Sequence, residues 1–91
     1  MGMMSNTTVD FGSTPVDEAT FPVVDAGLSG LTKAEIFVMR DATGDNDADA
    51  HMVLATFWRF IGSISGTTLT IEGNAWGVLT TGTFVLHWVA N

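Results

Sequence analysis

The chain has 91 residues, a net charge of −7 and no cysteine. A chain of this length predicts one domain with a marginal core, since it buries only about two-thirds of the surface it exposes when unfolded. Three basic side chains, Lys33, Arg40 and Arg59, are too few to neutralise a phosphate backbone or an anionic bilayer, so neither nucleic acid nor membrane is an expected partner.

Without cysteine there is no disulfide and no thiolate zinc site. Oligomerisation is the remaining common support for so small a core. Composition points the same way: 46% of residues are hydrophobic and 14% charged, against about 25% charged in a typical soluble domain. Self-association would cover the excess apolar surface.

In chain order, "MGMMSNTT" lacks the basic region and apolar run of a signal peptide. Asn6 stands where the myristoylation pattern on Gly2 needs Ser or Thr. Asn6-Thr7-Thr8 fits a glycosylation sequon, which carries little weight without a secretory signal. No stretch reaches the ~18 apolar residues of a membrane span. Residues 1–15 read as a flexible N-terminal arm containing a short strand, "TTVDF", and residues 16–91 as a β-sandwich domain. "GSTPVDE" is a loop by its Gly, Ser, Pro and Asp content. "ATFPVVDA" predicts a strand that Pro22, lacking an N–H, confines to an edge or a bulge.

"AEIFVMR" predicts a strand with apolar residues on both sides, as if both faces were covered. "MVLATFWRFIGSIS" predicts another strand, and a helix over residues 48–61 is its rival because Ala50, Leu54 and Phe57 or Trp58 also fit a helical stripe. "TTLTIEG" is the clearest strand, with Leu69 and Ile71 on one side and Thr68, Thr70 and Glu72 on the other. "AWGVLTTG" reads as a short strand ending in a turn. "TFVLHWVAN" closes the chain, with Phe84, Leu86, Trp88 and Ala90 on one side and Thr83, Val85, His87 and Val89 on the other. About seven short antiparallel strands separated by glycine turns read as an all-β fold, a small β-sandwich or jelly-roll.

The stretch "DATGDNDADAH", Asp41 to His51, holds four of the ten acidic residues. Asp45, Asp47 and Asp49 begin like a calcium loop, but Ala50 stands where that loop needs Gly and Thr56 where it needs Glu, and its flanks read as strands. A solvated acidic loop that blocks wrong edge pairing is the favoured reading. A non-EF-hand carboxylate site for Ca²⁺ and an Asp49–His51 hydrogen bond are the alternatives; no metal and no cofactor are assigned. The chain has no G-x-S-x-G, H-E-x-x-H, G-x-G-x-x-G or P-loop, so it is not expected to be an enzyme. An enzyme would need His51 and His87 clustered in a concave site. His87, in an alternating strand, reads as a packed or interface residue. Trp58, Trp76 and Trp88 suit either stacking on a sugar or filling a core and interface, and core is favoured in so small a chain.

The order "VDFG", "TGDNDADAH", "GTTLTIE" and "LTTGTFVLHWVAN" resembles small structural proteins of tailed bacteriophages, over Val9 to Asn91. Those chains often end in a G-T-F-x-V-x-W-V-W-N type strand, matched best here by Gly82–Asn91. They often carry a T-x-D-H-x-x-x-E-H type stretch near the middle, matched here at Thr43, Asp45 and His51. Asn46 departs from the histidine of that mid-chain pattern, and Ala90 from the last aromatic residue of the closing-strand pattern. The resemblance implies a β-sandwich, symmetric assembly on a virion and no catalysis. The expected function is that of a capsid decoration (cement) protein, bound to itself as a homotrimer and to the major capsid protein or neighbouring virion proteins. The rival is a tail-fibre or receptor-binding module for a host surface glycan. Phe11, Trp58, Phe60, His87 and Trp88 are the expected oligomer or capsid interface.

Overall fold

β-Branched and aromatic residues suit a pleated surface buried on one face, and here they gather into strands broken by glycine. The computed structural model describes residues 2–42 and 57–91. Its strands are β1 (Met3–Asp10), β2 (Glu18–Val24), β3 (Lys33–Asp41), β4 (Arg59–Ser65), β5 (Thr68–Asn74) and β6 (Thr83–Ala90), with one turn of 3₁₀ helix at Ala26–Leu28. All six form a single sheet in the order β1-β6-β3-β4-β5-β2, and every neighbouring pair is antiparallel. The protein is all-β, as its composition and turn spacing predict, with the sheet curled around its core in a small sandwich- or barrel-like fold.

Alternation decides which side chains enter that core. Leu69 and Ile71 of β5, and Phe84, Leu86, Trp88 and Ala90 of β6, point inward and are buried. Side chains such as leucine and isoleucine contribute roughly 1.5–3 kcal/mol each on leaving water. Trp58, just before β4, begins the inward parity that Phe60 and Ile64 continue. Gly73 faces inward where a side chain would not fit: a Cβ there would lie 2.7 Å from the Phe60 ring and 3.0 Å from that of Trp58. At one end of the sheet the core is aromatic. Phe11 packs against Trp58 (4.7 Å between ring centroids), Phe21 (5.2 Å) and Phe84 (5.6 Å), and Trp58 stacks on Phe60. The Phe11–Phe21 contact joins the two edges, since Phe11 follows β1 directly and Phe21 lies on β2. At the other end Leu28, held by the 3₁₀ turn, is fully buried, and the Asp25 side chain caps that turn by accepting from the Gly27 N–H.

Several local expectations change. Residues 3–10 are no arm: β1 pairs with β6 over eight residues, from Met3 opposite Ala90 to Asp10 opposite Thr83. The polar-rich "SNTT" is accommodated because β1 is an edge strand with one face toward solvent. The apolar residues on both sides of β3 do not mark two covered faces. The register shifts between Ile36 and Val38, and this bulge reverses the parity. Ala34 and Ile36 pack inward before it, Met39 inward after it, and Phe37 and Val38 are both left exposed. Residues 75–82 form no strand: a turn is followed by an isolated bridge from Thr80 to Val16. Pro22 lies on edge strand β2, as its missing N–H requires. Residues 59–65 are strand and Trp58 leads into them; residues 48–56 of the stretch with a rival helix, and Asp45, Asp47, Asp49 and His51, lie outside the described residues.

Candidate functional site

The Ala75–Val78 turn is the most unusual piece of backbone among the described residues. The Val78 N–H donates to the Ala75 carbonyl at 3.1 Å. Its two central residues both have positive φ, Trp76 at 45° and Gly77 at 95°, the pattern of a type I′ turn. Glycine adopts this region freely, whereas a bulky residue in it is an outlier. Trp76 is the only such non-glycine residue among the described ones.

Neighbouring groups hold the turn in place. The Asn74 side chain accepts from the Trp76 N–H at 2.8 Å, and an Asp17 carboxylate oxygen accepts from the Gly77 N–H at 2.7 Å. The Asp17 carbonyl accepts from the Ala75 N–H at 2.7 Å. The Asn74 amide donates to Glu18 at 3.0 Å. Trp76, which these contacts present, is 70% exposed.

Trp76 borders an open groove of about 390 Å³ on the outer face of β2, β5 and β4. Strand register orders its lining. Glu18, Asn74 and Arg59 form one row across the three strands, and Thr20, Glu72 and Ile61 form the next. Three adjacent strands span roughly 10 Å. The groove thus offers an aromatic face, one aliphatic side chain, two carboxylates, a guanidinium, an amide and a hydroxyl. Arg59 also donates to the Trp58 carbonyl at 3.3 Å.

The five expected interface residues are distributed differently. Phe11, Trp58 and Trp88 are buried in the chain's own core. Trp58 is 2% exposed, and its indole N–H donates to the buried Thr80 hydroxyl at 2.9 Å. Trp88 is fully buried, and its indole N–H has no partner among the described residues. Phe60 is half-buried against Trp58. His87 is half-buried on the outer face, where its Nε2 accepts from the Arg40 Nε at 2.9 Å and the Phe37 ring lies 6.3 Å away. That bond places the proton of a neutral imidazole on Nδ1. The large apolar side chains exposed instead are Met4, Val24, Phe37, Val38, Phe57, Ile61, Trp76 and Leu79. The signal for Trp76 was present as Asn74-x-Trp76-Gly77, a turn-forming asparagine and glycine around an aromatic residue.

No group of three or more His, Asp or Glu side chains among the described residues is placed to hold a metal ion, and no helix among them is long and apolar enough to cross a membrane. No family model, curated protein or solved structure matches the chain.

Proposed function

We propose that this protein is a non-enzymatic structural component of a bacteriophage virion, a decoration protein that stabilises the head through repeated symmetric contacts. The observation that carries the reading is the apolar outer surface. Met4 on β1, Val24 on β2, Phe37 and Val38 on β3 and Ile61 on β4 are all exposed on a chain of 91 residues. Burying such surface contributes about 25 cal/mol per Å², and many identical copies turn a modest contact into firm attachment. The resemblance of Gly82–Asn91 to the closing strand of phage structural proteins supports the virion setting. The partners are further copies of the chain, as a trimer, and the major capsid protein.

Quantitative mass spectrometry of purified virions tests this. Copies in a simple ratio to the major capsid protein are expected. A handful of copies tracking with tail proteins, or absence from the particle, would refute it. Sedimentation equilibrium tests the trimer, which a monomer at all accessible concentrations would rule out; an unchanged trimer in EDTA is the expected result if no metal holds the assembly.

A second reading, a tail-fibre module that recognises a host glycan, has one observation in its favour. Of the three tryptophans, Trp76 alone is presented to solvent, and it borders a groove with polar walls.

A further inference from the structure

We infer that the outer-face groove beside Trp76 is a binding site for a neutral or N-acetylated saccharide, with the Trp76 indole as its stacking platform. The inference deepens the receptor-binding reading and rests on it only for the ligand's source on a host; the site itself is argued from its construction.

Backbone geometry comes first. A glycine or asparagine at position 76 would satisfy the turn without strain, yet the chain carries tryptophan there at φ 45°. The indole does not repay that strain by packing inward, because most of it is exposed. Asn74 and Asp17 hold the turn on both sides of Trp76, so the ring projects from a fixed backbone.

Chemistry selects the ligand. An indole face is electron-rich and apolar, and it complements the C–H face of a pyranose ring. The hydroxyls around the sugar's edge need acceptors and donors close to that face. Glu18 and Glu72 supply acceptors, Asn74 and Arg59 supply donors, and Thr20 supplies both. The groove spans three strands by two side-chain rows, large enough for a ring lying across it. Ligand pockets with an apolar platform and a few oriented polar groups follow the same plan. Charge narrows the class further. Two carboxylates, and a net charge of −7 on the chain, disfavour acidic sugars.

The test uses the purified full chain on an array of defined neutral, N-acetylated and acidic oligosaccharides, followed by calorimetry with the strongest binder. Binding of a neutral or N-acetylated oligosaccharide is expected, weakened about tenfold or more by Trp76→Ala and partly retained in Trp76→Phe. Thermal unfolding controls for the fold: Trp76→Gly should unfold at the same or a higher temperature while losing binding. Binding that Trp76→Ala leaves unchanged would overturn the assignment. So would binding of acidic oligosaccharides alone, of an oligolysine peptide in place of any sugar, or of nothing. Saccharide binding by a protein that virion mass spectrometry places on the head would keep the site and refute the receptor reading. Tail location without saccharide binding would do the reverse.

Discussion

At one end of the sheet, the two faces of β4 and β5 use the same kind of side chain for opposite purposes. On the inner face Trp58 is buried among Phe11 and Phe60, and its N–H is spent on Thr80. After the β4–β5 hairpin, Trp76 stands outside, over a polar groove, on backbone that disfavours it. An inward tryptophan lowers the free energy of the fold. An outward one in a left-handed turn raises it, and its presence is explained by something other than stability. The saccharide contact proposed above supplies that explanation.

The difference breaks most visibly at the inner face. Trp88→Ala empties a fully buried site and should cost roughly 3–5 kcal/mol in chemical denaturation, close to the whole stability of so small a domain. A protein that stayed folded with a small loss would show that the inner face does not hold the molecule together. Gly73→Ala should cost about 1–3 kcal/mol by overpacking, because its Cβ would press on Phe60. Pairing it with Phe60→Leu should recover part of the loss, and no recovery would mean that the backbone itself rejects the change.

A subtler contrast separates the two buried tryptophans. Trp58→Phe removes the partner of a buried hydroxyl, whereas Trp88→Phe removes a donor that has no partner among the described residues. The first should therefore cost more than the second by about 1 kcal/mol; equal losses would place an acceptor near the Trp88 N–H. The smallest effect has the opposite sign. Trp76→Gly relieves the left-handed strain but adds chain entropy to the unfolded state, so it should range from neutral to about 1 kcal/mol stabilising. A clear destabilisation would make Trp76 a structural residue and remove the contrast.

How much of this was legible depended on local pattern. β5 and β6 could be read because Leu69 and Ile71, and Phe84, Leu86, Trp88 and Ala90, alternate cleanly between turn glycines. The same parity places Trp88 in the core beside Leu86, so burial of that residue was available from the sequence. β3 was harder: apolar residues on both sides fit two covered faces as well as a bulge, and only the pairing with β6 distinguishes them. The start of the first strand was missed because Ser5 and Asn6 carry little β signal alone and are ordered by their partners on β6. The interface expectation relied on large aromatic side chains, but in a chain this small they fill its own core first. The exposed set is mostly aliphatic and lies on outer-face positions that composition does not single out. The groove was out of reach, since Glu18, Glu72 and Arg59 meet only through strand order.

The interior position of β6 has a consequence for how the molecule is made. β6 pairs with both β1 and β3, so β1 leaves the ribosome about seventy residues before its partner exists. Until then its backbone donors and acceptors face water, or other chains, and β3 lacks its most extensive neighbour. Sheet closure must await nearly the whole sequence, a topology that folds in milliseconds to seconds rather than microseconds. During that interval an unpaired "MMSNTTVD" needs protection from pairing with its neighbours, and its weakly β-forming polar centre provides some.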